Sequence, residues 1–160
     1  MTTGFEECPM KPAEPLALNH SWPLFESGQR FDLGRLDAPD VNYAEADDEW
    51  LAARGIGRWH CDLSTQRLSW STGVFNLFDW HRDQMPERLA VLPLYQSESL
   101  SAVERLRFYA IRHRRGFTID AGLRMAGDQR WMRVIGVPVC ENKRVVALQG
   151  WKIDVTAEYR

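Results

Sequence analysis

The stretch from Arg124 to Arg133, which reads RMAGDQRWMR, decides the fold because it joins two strands through a tight turn. Gly127 can adopt a positive φ without steric cost, and its neighbours Ala126 and Asp128 complete the chemistry of a turn. On both sides of the turn, apolar residues recur at every second position, which is the spacing of a β-strand. The stretch therefore predicts a β-hairpin.

The chain after this turn predicts the centre of a sheet. Between residues 130 and 140 both faces of the strand are apolar, so a central position covered on both sides is expected. One face carries Trp131, Ile135, Val137 and Val139, and the other carries Met132, Val134 and Gly136. A polar turn then leads into the last strand, from Val145 to Val155.

A second hairpin is predicted upstream. Residues 55–62 read GIGRWHCD, in which Trp59 and Cys61 alternate with polar residues as in a half-buried strand. A short polar turn returns Leu68 and Trp70 to the same inner face. Together with the strand that precedes the decisive turn, five strands are predicted.

Helices are predicted before and between these strands. Residues 44–53 are good helix formers with acidic side chains in the early turns, and Ser71 can cap a second helix. The longest predicted helix begins at a capping box formed by Ser101 and Glu104 and ends at Gly116. This order of elements predicts an α+β fold, with a five-stranded antiparallel sheet and helices packed on one face.

The composition bounds the class of protein. The chain of 160 residues is 44% hydrophobic and 26% charged, which is the profile of one soluble globular domain. A net charge of −2 argues against direct binding of nucleic acid, which needs a basic face. Cys8, Cys61 and Cys140 lack metal-ligand spacing, and their odd number favours a reducing compartment. Neither a membrane span nor a signal peptide is predicted, which indicates the cytoplasm.

Residues 1–43 differ from the rest and are predicted to be an extension to a domain formed by residues 44–160. Five prolines interrupt any helix in this segment. Its apolar residues, which include Trp22, Phe25 and Phe31, are nevertheless too many for an idle disordered tail. The extension therefore either packs on the surface of its own domain, covering an apolar patch, or serves as a docking arm for a partner or a second copy.

The decisive hairpin resembles that of PAS domains from bacterial signalling proteins, of the PAS fold-3 type. The hairpin of this subtype reads Arg-x-x-x-Gly-x-x-Arg-Trp, which Arg124, Gly127, Arg130 and Trp131 match. The closing run of the chain, GWKIDVT from Gly150, resembles the Asp-x-Thr exit motif of the same family.

The resemblance covers about residues 50–158, and the chain departs from it before the long helix. Members of the subtype usually carry a His-Pro-x-Asp-type segment there, whereas residues 94–99 of this chain read LYQSES. The departure concerns the family's usual cap at the start of that helix and leaves the predicted fold unchanged.

The resemblance implies a sensory and regulatory module. In such domains the exit motif transmits the signal, which here would fall to Asp154 and Thr156. The implied partners are a second copy, giving a homodimer, and a signalling protein such as the histidine kinase of a two-component system. The contact surface would involve Trp50 and Leu51 together with two residues taken as outward-facing, Met132 and Val134.

The resemblance also implies a pocket between the sheet and the helices. Its candidate residues lie on the inner strand face and the facing helices: Trp59, Cys61, Leu68, Trp70, Phe75, Phe78, Leu106 and Ile119. A packed core is the alternative interpretation, since aromatic side chains dominate cores as well. Neither haem nor a flavin is expected, because no histidine is well placed as an axial ligand and the photoreceptor type of Asn-Cys-Arg motif is missing. No metal site is predicted.

Catalytic motifs are missing from the sequence. It contains no Gly-rich phosphate loop, nucleophile elbow or His-Glu-x-x-His helix, so no catalytic residue is predicted. The first hypothesis is therefore a non-enzymatic PAS module that dimerises and modulates a signalling partner, with or without a small ligand. The alternatives are a sensory fragment of a histidine kinase, diguanylate cyclase or transcription regulator, and a module with a filled core that only assembles proteins.

Overall fold

Six strands form one antiparallel sheet in the computed structural model, which describes residues 20–30 and 46–159. They are β1 (His20–Trp22), β2 (Ile56–Asp62), β3 (Leu68–Trp70), β4 (Gly116–Arg124), β5 (Gln129–Glu141) and β6 (Arg144–Asp154). Their order across the sheet is β1-β4-β5-β6-β2-β3, with every neighbouring pair antiparallel. The predicted α+β class with an antiparallel sheet is confirmed.

Five α-helices are described in the same ranges. They are α1 (Ser27–Arg30), α2 (Asp48–Ala53), α3 (Thr72–Leu77), α4 (Arg88–Val91) and α5 (Ser97–His113), with 3-10 turns at Leu24–Glu26, Leu92–Leu94 and Thr156–Tyr159. Asp47 caps α2, because its carboxylate accepts hydrogen bonds from the backbone of Glu49 and Trp50. None of these helices is long and apolar enough to cross a bilayer.

The sheet has six strands where five were predicted, because the segment before residue 44 supplies one more. His20, Ser21 and Trp22 pair with the first three residues of β4. An edge strand otherwise leaves a row of unpaired backbone groups, and β1 covers this row at one end of β4.

Trp22 anchors this added strand on the sheet. The side chain is 1% exposed, and its indole Nε1 donates a hydrogen bond of 2.9 Å to the Thr118 hydroxyl. Its ring lies over Gly116, where a Cβ atom would come within 2.2 Å of it. Gly116 was predicted to end the long helix, but that role falls to Arg114, which adopts a left-handed conformation at φ 54°. Gly116 instead gives the Trp22 ring room to pack.

Replacing Thr118 by Val is expected to lower the free energy of unfolding by about 1–3 kcal/mol, because the buried indole N–H loses its acceptor while the shape is kept. Urea denaturation would measure the change. The matched control is the same Thr118→Val change made in a Trp22→Phe background. A phenylalanine ring has no N–H to donate to the Thr118 hydroxyl, so removing that hydroxyl should cost much less there. An equal loss in both backgrounds would contradict this account of the anchor.

The long helix α5 begins a turn earlier than predicted. Gln96 is the N-cap and makes no side-chain cap bond, so the capping box of Ser101 and Glu104 is wrong. The start is set by β4: the Gln96 amide donates to the Gly122 carbonyl at 2.9 Å, and the Gly122 amide donates to the Ser99 hydroxyl at 2.8 Å. These long-range bonds position the first turn in place of a local cap.

Two apolar clusters lie on opposite faces of the sheet. The inner cluster joins the strands to α3, α4 and α5 and includes Trp59, Phe117 and Ile119. The outer cluster is smaller and consists of Trp22, Leu51, Ile56, Ile135 and Trp151. Leu51 comes from α2, so this short helix covers part of the outer face, whereas α3, α4 and α5 pack on the inner one.

The predicted outward orientation of Met132 and Val134 is wrong. They are 0% and 2% exposed and belong to the inner cluster. Both faces of β5 are apolar, so alternation separates two sets of residues without showing which set meets the helices. Leu51, at 0% exposure, is likewise buried. Three of the four residues expected at a dimer contact are therefore inaccessible, and only Trp50 keeps partial exposure.

Candidate functional site

A cavity of about 70 Å³ lies between the inner face of the sheet and the helices α4 and α5. Most of its wall is apolar and comes from strands β2 to β6 and from both helices. Its polar groups are few and converge on the same space: Lys152, Tyr95, Arg88, Glu104 and Arg107. A concave, largely apolar site with a few directed polar groups is the usual form of a ligand site, and at this volume it admits a molecule of only a few heavy atoms.

Lys152 projects into the cavity from the centre of the sheet. Strand alternation on β6 points Trp151 to the outer cluster and the next residue, Lys152, to the inner face, where it is 8% exposed. Its Nζ donates a hydrogen bond of 3.4 Å to the Tyr95 hydroxyl. Among the described residues no carboxylate lies within 4.0 Å of this atom.

Two aromatic rings provide the remaining surroundings of the amine. Nζ lies 5.3 Å from the ring centroid of Trp59 and 5.2 Å from that of Phe78. The negative faces of such rings attract a cation, but this attraction does not replace lost hydration. Lys152 is therefore a buried amine held by one hydroxyl and two rings.

Burial sets the protonation of both polar partners in the cavity. Desolvation lowers the pKa of Lys152 to about 8, while the nearby Cys61 thiol acts in the opposite direction. Desolvation also raises the pKa of Tyr95, and Glu104 adds to that rise. At neutral pH the phenol is therefore protonated, and the lysine is mostly protonated but loses its proton at a lower pH than an ordinary lysine.

Trp59 lines the cavity, and Gly136 leaves room for its indole. A Cβ atom on Gly136 would lie 2.9 Å from the Trp59 ring, and Gly150 is the direct cross-strand partner of Trp59 on β6. The indole Nε1 donates to two backbone carbonyls, those of Ile135 at 3.3 Å and Trp151 at 3.2 Å. The ring is thus fixed against the sheet.

Charged side chains form the wall of the cavity nearest to solvent. Arg88 of α4 and Glu104 of α5 form an ion pair whose side chains are 17% and 37% exposed. Arg107, one helical turn after Glu104, forms no ion pair within the described residues, and its guanidinium reaches Gln66 Oε1 at 3.4 Å. Arg88 is therefore neutralised, and Arg107 leaves a positive charge on this wall.

Of the eight predicted pocket residues, Trp59 and Leu68 line this cavity. Cys61, Phe78 and Ile119 are buried in the core around it, and Trp70 stacks on Phe78 with ring centroids 5.0 Å apart. Phe75 meets Trp70 edge to face, and Leu106 packs at the margin of the inner cluster.

The sequence reasoning missed the polar residues Lys152 and Tyr95. The signal for Lys152 was present, since a lysine between Trp151 and Ile153 is unexpected in a strand whose two faces are both buried. Tyr95 gave no such signal, because it lies in the segment that departs from the PAS pattern.

A larger depression of about 530 Å³ lies on the surface beside α4. It is bounded by the turn at residues 65–67 and by residues 85–89, which are exposed except for Pro86 and Arg88. None of the described residues that line it is a buried titratable group. The smaller internal cavity is therefore the better candidate for a specific site.

The exit motif is tied to the rest of the sheet by hydrogen bonds of both its backbone and its side chains. The Asp154 amide donates to the Gly55 carbonyl at 2.8 Å, and its carboxylate accepts from the Thr156 amide at 2.9 Å. The Thr156 hydroxyl accepts from the Trp131 amide at 3.0 Å. Asp154 and Thr156 thus connect the end of β6 to the start of β2 and to β5.

A buried carboxylate secures the segment that follows this exit. Asp120 on β4 has a side chain that is 0% exposed, and it receives two hydrogen bonds from Arg133, at 2.7 and 2.9 Å. Tyr159 donates a third hydrogen bond at 2.6 Å, and its ring stacks on Trp131 at 4.3 Å. The last described turn is thereby held against the sheet.

Replacing Asp120 by Asn is expected to lower the free energy of unfolding by about 2 kcal/mol, because a bidentate charged pair is lost in a buried setting. Chemical denaturation would measure it. The control is Asp79→Asn, whose carboxylate is 63% exposed and pairs with Arg130 at 3.3 Å. That change should cost at most about 0.5 kcal/mol, and equal losses would contradict the role given to Asp120.

Solved structures similar to this chain share its architecture. The N-terminal domain of a diguanylate cyclase with PAS/PAC sensor from Marinobacter aquaeolei aligns with a TM-score of 0.59 at 16% identity, covering 66% of this chain and 99% of that one. A sensory box histidine kinase/response regulator from Burkholderia thailandensis gives 0.57 at 17% identity, covering 67% and 82%. An RNA-binding light-oxygen-voltage receptor gives 0.59 at 17% identity, where the match covers 66% of this chain and 30% of the receptor.

These likenesses establish the class: the chain has the PAS fold, as its hairpin and exit motifs predicted. No protein-family model and no curated protein matches the sequence. Identities of 16–17% establish a shared fold and not a shared activity.

Proposed function

We propose that this chain is a non-enzymatic sensory module that binds a small ligand beside Lys152 and passes the resulting change to a signalling partner. The observation that carries the proposal is the buried amine of Lys152, which faces a cavity and has no carboxylate partner among the described residues. Burying an ammonium group away from water costs folding free energy. A polar or anionic ligand that contacts Lys152 would therefore stabilise the folded protein.

The position of Lys152 supports a route for the signal. It lies on β6 two residues before Asp154, and the inner face of this strand carries both side chains. A ligand that displaces Lys152 therefore acts on the strand that ends in the exit motif. The hydrogen bonds from Asp154 to Gly55 and from Trp131 to Thr156 would carry the change to neighbouring strands.

Native mass spectrometry on gently purified protein tests the proposal. We expect a reproducible added mass on the wild type that is missing from Lys152→Met. The expected companion result is slower hydrogen exchange in residues 154–159 when the ligand is bound. If the wild type carries no added mass and no compound of a small-molecule library raises its melting temperature, the proposal is wrong.

Homodimerisation stays a prediction, and its contact surface has to differ from the one first expected. Of the four residues named for it, Trp50 alone is accessible, while Val137 and Ile153 keep partial exposure on the outer face. Size-exclusion chromatography with light scattering should give the mass of a dimer. A monomer at high micromolar concentration would contradict it.

The partner we propose is a signalling enzyme such as a histidine kinase, acting in the cytoplasm. The alternative, that the chain is the sensory part of a larger kinase, diguanylate cyclase or transcription regulator, uses the same cavity and the same exit. A genomic stop codon directly after Arg160 would exclude this alternative.

A further inference from the structure

The amine of Lys152 has the surroundings of a reactive group as well as those of a binding group. It lines the cavity, with a protonated phenol 3.4 Å away and two aromatic rings beside it. An amine removed from water in this way loses the hydration that favours its charged form, and the neutral form is a nucleophile.

The cavity wall carries a second unneutralised cation. Arg107 lines the same space as Lys152 and has no acidic partner among the described residues, whereas Arg88 is paired with Glu104. A guanidinium of this kind is a good receptor for a carboxylate. The volume of about 70 Å³ restricts any occupant to a few heavy atoms.

We propose that Lys152 captures small 2-oxo acids as a Schiff base, with Arg107 receiving the acid's carboxylate. This inference rests on the proposed sensory function and names the class of ligand for the same cavity. The amine supplies the nucleophile and the 2-oxo group supplies the electrophilic carbon. The carboxylate supplies an anion for Arg107, which has no ion-pair partner among the residues that the structure describes.

The chemistry balances without an oxidant or a reductant. The lone pair of the neutral amine attacks the carbonyl carbon, and the C=O π electrons take up a proton that the attacking nitrogen releases, which gives the hydroxyl of a carbinolamine. The nitrogen then expels this hydroxyl as water, and a C=N bond replaces the C=O bond. The Tyr95 hydroxyl is placed to donate the proton that the departing oxygen needs, and it can recover one from the nitrogen.

The titration of Lys152 supports this step. Burial lowers its pKa to about 8, so a much larger fraction of this amine is neutral at pH 7.5 than of a lysine with the ordinary pKa. Tyr95 and Cys61 face the amine, and the Arg88–Glu104 pair and Arg107 line the cavity wall.

The composition of the chain makes the test selective. The sequence contains three lysines, Lys11, Lys143 and Lys152, and Lys143 is exposed at the β5–β6 turn. The folded protein would be treated with glyoxylate and sodium cyanoborohydride at pH 7.5, which reduces an imine to a stable adduct, and then digested for peptide mass spectrometry. We expect Lys152 to be labelled at least tenfold faster than Lys143, and this preference to disappear in urea.

Two variants separate recognition from reactivity. Arg107→Gln should slow labelling by glyoxylate at least fivefold while leaving labelling by formaldehyde, which has no carboxylate, unchanged. Tyr95→Phe should slow labelling by both reagents. Equal labelling of Lys143 and Lys152 in the folded protein would overturn the inference. The inference would also be overturned if glyoxylate raised the melting temperature but cyanoborohydride trapped no adduct on Lys152. That second result would leave the proposed binding function intact.

Discussion

Replacing Lys152 by Met is expected to raise the free energy of unfolding at pH 7 by about 1–3 kcal/mol, although the residue lies at the centre of the sheet. A methionine has a similar length and needs no hydration, whereas the native ammonium is buried with one hydroxyl as its polar partner. Exchanging a buried charge for an apolar isostere is commonly neutral or stabilising. Most core substitutions destabilise, so the sign of this effect is diagnostic.

The advantage of Lys152→Met should disappear as the pH rises. The folded-state pKa of about 8 lies below the ordinary value of 10.5. Below pH 8 the lysine is protonated in both states, so the folded state bears the full cost of burying the charge. Between pH 8 and 10.5 the unfolded state binds more protons, so the wild type gains stability with pH, by roughly 3 kcal/mol in total.

Urea denaturation of the wild type and of Lys152→Met, at pH 7 and at pH 10, measures this difference in the free energy of unfolding. Subtracting one protein from the other at each pH cancels the contributions of the titrating groups that they share. Lys143→Met is the matched control, because Lys143 is exposed at a turn. Its difference from the wild type should stay within about 0.5 kcal/mol at either pH. A Lys152→Met protein that is less stable at pH 7, or a gap that does not change with pH, would contradict the buried-amine description.

Replacing Gly150 by Ala is expected to lower the free energy of unfolding by about 3 kcal/mol or more. A Cβ atom at this position would lie 1.8 Å from the Ile135 carbonyl oxygen and 3.0 Å from the Gly136 Cα. These are backbone atoms of the adjacent strand, so no side-chain rotation relieves the overlap, and the centre of the β5–β6 ladder has to move.

Thermal denaturation would show the loss, and hydrogen-exchange protection of β5 and β6 would locate it. Gly28→Ala is the control, because nothing lies within 4 Å of a Cβ atom there. It should change stability by less than about 1 kcal/mol. If Gly150→Ala were as mild as Gly28→Ala, the close approach of β5 and β6 would be wrong.

The hairpins show how far local sequence determines this fold. Gly127 takes φ 93° in the β4–β5 turn, and Asn142 and Lys143 both take positive φ in the β5–β6 turn, as a two-residue hairpin requires. These conformations depend on the turn residues themselves. Arg130 adds a tertiary reason for the PAS-like hairpin pattern, since its guanidinium donates to the Leu77 carbonyl at 2.7 Å and so caps α3.

The wrong predictions share one cause, which is that each depended on a distant partner. The helices that cover one face of β5 decide that Met132 and Val134 point inward. The alternation of side chains along the strand would be the same if the opposite face were the inner one. The start of α5 is set by bonds from Gln96 and Ser99 to Gly122. The added strand β1 exists because the edge of β4 accepts it.

The sequence by itself determined the α+β class, the positions of the hairpins and the PAS character of the chain, because turn chemistry and strand periodicity are local properties of the backbone. The tertiary structure alone decided which face of β5 is internal, what covers the edge of β4, and the composition of the cavity. Lys152 and Tyr95 are 57 positions apart in the sequence. Their meeting, and the loss of hydration that makes Lys152 chemically distinctive, arise when the sheet and helices pack together.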